Sequence, residues 1–297
     1  MPKKFNALTN IVVLGSKGFI GSSLLRHLSG NCWFNVRGLD VPELDLTDER
    51  QVCSAMPELV KDSIVIVAAA ITRDRDNSTA AMIDNIRMVA NLSRVLGDYP
   101  AGQVVYLSTV DVYGRRNLTL PLNELSNIQP SNYYGISKIT REYILRLACG
   151  AAGRPLAILR LPGVYGPNDT HKSPINVFAT RAIEGRPIEV RGNGAELRDF
   201  LYIEDVCGIA EQVILRGICG TFNIVTGQSH PIGYILKVIE TFCGRPVEVS
   251  FNGGQEDSDL VFEPSAILRE IPEFQFTDVE IGLEQTVKYY QEQLSCV

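Results

Sequence analysis

Tyr134 and Lys138 stand four residues apart in Tyr134-Gly135-Ile136-Ser137-Lys138. On a helix this spacing sets a phenol and an ammonium on one face, one turn apart. The positive charge favours the phenolate, so the phenol's proton exchanges more readily near neutral pH. Upstream lies Ser108-Thr109-Val110-Asp111-Val112-Tyr113-Gly114. The Thr109 hydroxyl, at the end of a preceding strand, can hold the same substrate oxygen. The three side chains make a proton relay for an alcohol that becomes a ketone, or for the reverse. The same Tyr/Lys spacing also arises by chance on amphipathic helices, so the elements around the pair decide whether it does chemistry.

Those elements can be read in order. Ile11-Val12-Val13-Leu14 is a continuous apolar run, the pattern of a strand buried on both faces. Gly15-Ser16-Lys17-Gly18-Phe19-Ile20-Gly21 follows at once, and Ser22 to Ser29 carries helical periodicity through Leu24, Leu25 and Leu28. A strand, a glycine-rich turn and a helix build an anion site. Gly15, Gly18 and Gly21 let the backbone approach a pyrophosphate, and the N–H groups of Phe19, Ile20 and Gly21 at the helix start face it. Trp33 to Leu39 reads as a second strand ending at Asp40. A carboxylate there can accept from both ribose hydroxyls of an adenosine, which favours NAD over NADP. Asp40 opening a turn is the alternative, and Lys17 or Arg37 could pair with a 2′-phosphate, so NADP stays open. Glu43 to Asp48 follows after only a few residues, so the usual helix and strand there are trimmed. Asp45 and Leu46 are candidates to flank the adenine; Thr47 or Asp48 could cap the helix toward Met56.

Ser63 to Ala70 is a buried strand whose end, Ala68-Ala69-Ala70, leaves room for a cofactor. After a loop from Thr72 to Thr79, a long helix carries Met82, Ile86, Val89, Leu92 and Leu96 at helical spacing. Val104 to Leu107 is the fourth strand, and it delivers Ser108 and Thr109 to the same carboxyl edge. The hydroxyl, the glycine turn and the small-residue strand end then converge on one crevice.

Leu156 to Leu161 is a fifth strand. In the turn after it, Gly163 to Tyr165, with Val164 at the centre, would face a nicotinamide or only break the strand. Ile175 to Glu184 reads as a helix, Ile188 to Val190 as a short strand, and Gly192-Asn193-Gly194 as the turn of a hairpin. Arg198 offers a fork of donors that fits a diphosphate; a salt bridge to Asp199 or Asp205 is its alternative. Ile203 to Leu215 and Ile232 to Phe242 are helical. Thr221 to Val225 is a strand that returns to the main sheet, and Val247 to Val249 a small strand. Thr277 with Glu280 is a capping box that opens a last helix to Gln293.

Composition narrows the function. The chain has 297 residues, 45% hydrophobic and 21% charged, with a net charge of -6. That acidic balance argues against a sequence-independent grip on nucleic acid. No apolar run reaches the roughly 20 residues of a membrane span, and the first ten residues have no signal-peptide core. The seven cysteines are scattered, which fits reduced, mostly buried thiols in a cytoplasmic protein. The three histidines, at 27, 171 and 230, show no metal-ligand spacing, and no metal site is expected.

Taken together, these pieces resemble the extended short-chain dehydrogenases/reductases, within them the nucleotide-sugar epimerase/dehydratase/reductase group. The matching residues are Gly15-x-x-Gly18-x-x-Gly21, Asp45-Leu46, Ala68-Ala69-Ala70, Asn85, Ser108-Thr109-x-x-Val112-Tyr113-Gly114 and Tyr134-x-x-x-Lys138. Further on they are Leu159-Arg160-x-x-x-Val164-Tyr165-Gly166-Pro167, Arg198-Asp199-Phe200, Tyr202-Ile203-x-Asp205-Val206 and Phe222-Asn223-Ile224. The resemblance implies Tyr134 as acid/base, Lys138 as its activator and ribose anchor, and Thr109 as the hydroxyl on the sugar oxygen. It also implies a homodimer through helices that include 82–96 and 132–149. The departures are informative. The family's 4,6-dehydratases carry Asp-Glu directly after the threonine, where this chain has Val110 and Asp111. A valine cannot protonate a leaving hydroxyl, so dehydration is not expected, and Asp111 becomes a substrate contact. The family's asparagine four residues before Pro167 is Gly163 here. An arginine common near 253–258 is absent.

The expected fold is a doubly wound parallel α/β sheet (Rossmann-type) with a smaller C-terminal substrate-binding lobe. Residues 1–167 would bind the dinucleotide, segments near 199–226 returning to them, and 168–297 would mainly bind substrate. The expected function is hydride transfer at C4 of a nucleotide-activated hexose, with a 4-ketoreductase of a nucleotide 4-keto-6-deoxysugar placed first. A nucleotide-sugar 4-epimerase of the UDP-glucose/UDP-galactose type and a non-catalytic dinucleotide-binding protein are the alternatives.

Overall fold

Apolar runs too continuous for a half-exposed strand become the buried strands of one sheet. The computed structural model describes residues 8–98, 102–169, 173–253 and 258–295. In chain order, β1 (Thr9–Leu14) leads through the glycine turn into α1 (Phe19–Ser29). β2 (Phe34–Leu39), α2 (Glu49–Val60), β3 (Ser63–Val67), α3 (Thr79–Asp98) and β4 (Val104–Thr109) follow. A single 3-10 turn (Val110–Tyr113) then precedes α4 (Tyr133–Ala151) and β5 (Leu156–Leu161). Next come β6 (Gly163–Tyr165), α5 (Pro174–Glu184), β7 (Ile188–Arg191), β8 (Leu197–Tyr202), α6 (Ile203–Arg216) and β9 (Gly220–Asn223). The chain ends with β10 (Ser229–Pro231), α7 (Ile232–Cys243), β11 (Val249–Asn252), α8 (Ser265–Glu270) and α9 (Val279–Ser295).

The chain divides into two units. The first comprises Met1–Gly114, Ile128–Leu161 and Val206–Phe222. Its sheet has the order β2-β1-β3-β4-β5-β9. β1 runs parallel to β2 and β3, β3 to β4, and β4 to β5. The strand order therefore reverses at β1, whose two neighbours are reached by crossovers in opposite directions. Right-handed crossovers then put α1 on one face and α2, α3 and α4 on the other. The core agrees: Val52 and Met56 of α2, Val89 and Leu92 of α3 and Leu145 of α4 share a cluster with Val12, Leu14, Val65, Val67 and Tyr106. His27 and Asn31 both reach Glu211 of α6, tying it to the α1 side. Between β2 and α2 there is only a turn, closed by Asp48, which caps α2 by accepting from the Arg50 and Gln51 N–H groups. This sheet is the doubly wound α/β architecture that the strand and helix pattern predicts.

The second unit comprises Arg115–Asn127, Pro162–Asp205 and Asn223–Val297. β8 is flanked by β6, parallel, and β10, antiparallel. β7 pairs with β11 in parallel. α5, α7 and α9 pack on one another.

Three local expectations are corrected here. Gly192 to Gly194 does not close a hairpin, because β7 pairs with the distant β11 while β8 belongs to the other sheet. The small strand near 247 is displaced to Val249–Asn252, the register β7 imposes. The capping box at Thr277 does not form: its Oγ1 donates to Asp205 at 2.8 Å, and Asp278 accepts from the Glu280 N–H instead. The thiols are also less hidden than expected. Cys32, Cys53 and Cys219 are exposed, Cys243 is half-buried, and Cys149 and Cys207 are buried. Cys296, His171 and residues 254–257 lie outside the described residues.

Candidate active site

The glycine turn is built for a close neighbour. Gly15 has φ +86°, and a Cβ there would sit 2.5 Å from the Ala69 nitrogen; one on Gly21 would sit 2.0 Å from the Gly15 carbonyl oxygen. Only glycines allow the turn to pack this way. The first bond of α1 runs from the Ser22 N–H to the Gly18 carbonyl at 2.8 Å. Gly18 supplies no side-chain cap, and no acidic residue occupies the first turn. The N–H groups of Phe19, Ile20 and Gly21 are left to face an anion, with the helix dipole behind them. These residues fit a dinucleotide's pyrophosphate.

Asp40 follows β2 and its carboxylate accepts from the Lys17 N–H at 2.9 Å and the Val41 N–H at 2.8 Å. It therefore steadies the glycine turn. Lys17 Nζ is paired with Glu43 at 2.9 Å, so one of the two cations considered for a 2′-phosphate already has a partner. Asp45 spends one oxygen on Thr47, accepting from both its N–H and its hydroxyl. Leu46 is buried in the core with Leu44, and Asn91 donates to its carbonyl at 2.9 Å. Ala68 N–H donates to the Leu14 carbonyl, carrying the sheet's pattern one residue past β3, and Ala69 and Ala70 complete the small-residue end.

α4 brings the phenol and the ammonium to this edge. Asn132 caps the helix by accepting from the Gly135 N–H. A Cβ at Gly135 would lie 2.9 Å from the Asp111 carbonyl, so a glycine lets the first turn of α4 approach the 3-10 turn. Lys138 is buried, donates from Nζ to the Leu107 carbonyl at 2.6 Å, and sits 5.4 Å from the Tyr134 ring centroid. Thr109 Oγ1 accepts from the Asp111 N–H at 3.2 Å, which leaves its own proton to donate. Asp111 pairs with Arg73, in the loop between β3 and α3, at 3.1 Å. The expectation that Lys138 favours the phenolate is corrected here: burial and the Asp111 charge push the Tyr134 phenol up, against Arg141 and Arg73, and it keeps its proton. Burial lowers Lys138, and Arg141 lowers it further.

Ser108 points elsewhere: its hydroxyl donates to Glu142 at 2.6 Å inside the core. Val164 lies on β6 and Arg198 on β8, both in the second unit. Arg198 donates to the Leu197 and Ser258 carbonyls, while Asp199 and Asp205 are engaged by Thr226 and Thr277. Among the described residues no group of His, Cys, Asp or Glu is arranged to hold a metal, and no helix is long and apolar enough to cross a membrane.

The sequence pattern assigned no role to Arg141, Glu142 or Tyr106, and Arg160 entered it only as part of a matching motif. Glu142 accepts from Arg160 at 2.8 and 3.0 Å, and Arg160 donates to the Tyr113 hydroxyl at 2.8 Å. A signal was present: Arg141 and Glu142 lie seven and eight residues after Tyr134, on the helical stripe that already holds Lys138.

A family model described as the NAD dependent epimerase/dehydratase family matches residues 11–224. The chain is 24% identical over 332 residues to a dTDP-glucose 4,6-dehydratase of Neisseria gonorrhoeae, covering 95% of both chains. It is 29% identical over 293 residues to a GDP-6-deoxy-D-talose 4-dehydrogenase of Aggregatibacter actinomycetemcomitans, covering 94% of this chain and 97% of that one. Among solved structures, a UDP-glucose 4-epimerase with UDP-glucose from Thermotoga maritima superposes with a TM-score of 0.88 at 23% identity. That match covers 96% of this chain and 100% of the other.

Proposed function

The chain belongs to the NAD dependent epimerase/dehydratase family, and from that premise we propose that it is a 4-ketoreductase of a nucleotide-activated 4-keto-6-deoxyhexose. It is an enzyme of the nucleotide-sugar dehydratase, epimerase and reductase group, so three reactions compete. The buried Val110 directly after Thr109 weighs against dehydration, and the bare connection from β2 to α2 favours the reductase over the epimerase. Val110 has no proton to give, so a hydroxyl leaving the sugar has no acid at this position. The relative named as a 4-dehydrogenase of a nucleotide 6-deoxysugar supports the same reaction, read in the oxidative direction.

Tyr134 acts as the acid. Its phenol, held protonated by burial, passes a proton to the C4 oxygen as the carbonyl carbon gains hydride. Thr109 donates its free hydroxyl proton to the same oxygen and fixes its place. Lys138, anchored on the Leu107 carbonyl, keeps a further donor for a ribose. A reduced nicotinamide, when bound, supplies the hydride; Phe19, Ile20 and Gly21 would hold its pyrophosphate and Asp40 its adenosine ribose. Asp40 favours NAD, and exposed Arg37 leaves NADP possible. In the second unit, Arg198 would bind the substrate diphosphate. Asp111, paired with Arg73, would accept from a sugar hydroxyl.

The test follows near-ultraviolet absorbance of NADH or NADPH with a panel of nucleotide 4-keto-6-deoxysugars. Stoichiometric loss of reduced cofactor is expected, and Tyr134→Phe should lower kcat about a thousandfold. Interconversion of a gluco and galacto pair without net cofactor use would move the assignment to a 4-epimerase. A Tyr134→Phe protein with full activity would remove Tyr134 from the mechanism.

A further inference from the structure

Among the described residues, Arg141 is a buried charge without an ion-pair partner. It is 0% exposed, and a guanidinium in a protein does not give up its proton. The neighbouring carboxylate, Glu142, is claimed by Ser108, Arg146 and Arg160. Arg141 instead donates to the Ala69 carbonyl at 2.7 Å and lies 3.5 Å from Asn85 Oδ1. Its Cζ is 5.2 Å from the centroid of the Tyr106 ring, and its Nε has no acceptor. A cation–π contact and two neutral acceptors compensate poorly for the water this group has lost. Retaining such a charge calls for a use.

Its setting suggests one. Lys138 lies three residues earlier on the same stripe of α4, and its Nζ is also 5.2 Å from the Tyr106 ring centroid. Two cations against one ring in a low-dielectric site disfavour each other. Only the lysine can respond, by releasing its proton.

We propose that Arg141 is a positioning residue that sets the proton affinity of Lys138, and with it that of Tyr134. It does so by fixing a permanent positive charge on their helix stripe while pinning the Ala69 carbonyl at the small-residue strand end. This rests on the Tyr134–Lys138 relay argued above. When Tyr134 passes its proton to the substrate oxygen, the phenolate left behind meets a charge that cannot dissipate, whatever the state of the lysine. The other groups in play are few. Lys138 is lowered by burial and by Arg141 and is raised by Glu142. Tyr134 is raised by burial, Asp111 and Asp74 and is lowered by Arg141 and Arg73. Arg73 is half exposed and paired with Asp111, so Arg141 is the cation here that neither water nor a carboxylate screens.

The experiment is a pH titration of the full-length protein labelled with 13C at lysine Cε, read by NMR, with the Lys138 resonance assigned by its loss in Lys138→Met. In the wild type, the Lys138 midpoint is expected below those of the exposed lysines. Arg141→Gln keeps a donor for the Ala69 carbonyl and removes the charge; it should raise the Lys138 midpoint by about one pH unit or more. Arg141→Lys keeps a charge and should stay near the wild-type value. A folded Arg141→Gln protein with an unmoved Lys138 midpoint overturns the proposal, since a purely structural role would change stability and not this titration. Were Arg141→Gln not to fold, the wild type decides: a Lys138 midpoint equal to those of exposed lysines overturns it. Turnover plays no part in this measurement. Failure of the relay itself, seen as an active Tyr134→Phe protein, therefore remains a separate outcome.

Discussion

At the scale of single residues, the site stands on a buried network. Glu142 accepts from Ser108, Arg146 and both faces of the Arg160 fork. Ser108 adjoins Thr109, and Arg160 reaches Tyr113 at the far end of the 3-10 turn. One carboxylate thus ties α4 to both ends of the segment that carries Thr109. Removing its charge leaves the Arg160 guanidinium, 2% exposed, without compensation. Glu142→Gln should therefore lower stability by about 3 kcal/mol, measured as a drop in the urea midpoint at unchanged m. A loss below about 0.5 kcal/mol, the range of ordinary surface changes, would show that the network carries no such load. Tyr134 and Lys138 were readable in the sequence because helical spacing is local. Arg146 is a neighbour on α4, but Ser108 and Arg160 reach Glu142 from β4 and β5, and no local pattern announces a pairing across 18 or 34 residues.

At the scale of elements, β1, the glycine turn and α1 make one piece. Its strand signal, its glycines and its helical period are all local, and the structure reproduces them within a few residues. Gly21→Ala would drive a methyl into the Gly15 carbonyl, which is backbone and cannot step aside. The turn must open, and the affinity for NADH should fall about tenfold or more, the loss of one good charge-assisted hydrogen bond. Quenching of protein fluorescence by NADH reports this; unchanged binding would separate the turn from the cofactor. Elements whose partners are remote were less legible. Ile188 to Val190 reads correctly as a strand, but its neighbour is Val249–Asn252 and not the strand after the next turn. Thr277 has the composition of a cap and is diverted by Asp205.

At the scale of the whole molecule, α3 and α4 pack together and leave Ile83, Ile136, Tyr143 and Leu147 exposed. We expect a homodimer through these helices. Leu147 is 76% exposed, and Leu147→Glu should halve the mass found by light scattering; a monomeric wild type would end the idea. Stability should also depend on pH through Asp199. Burial raises its pKa to about 6, against hydrogen bonds from Thr226 and Gly227 that lower it. The folded carboxyl thus holds its proton more tightly than the unfolded one, whose value is about 4. The stabilisation is complete below about pH 4 and is lost as pH rises through about 6, a change on the order of 3 kcal/mol. Urea unfolding of wild type relative to Asp199→Asn should show this fall between those pH values. A flat difference would mean that Asp199 titrates normally.

The sequence by itself determined the sheet's buried strands, the anion turn, the helix bearing Tyr134 and Lys138, and the absence of an acid at Val110. Each depends on residue type and on spacings shorter than one element. Tertiary structure alone decided that Ser108 turns inward to Glu142, that β7 joins β11, and that Arg141 lies buried beside Lys138 without a carboxylate. These depend on which remote groups share a low-dielectric interior, where an unpaired charge or a free N–H is settled by whatever the fold brings within reach.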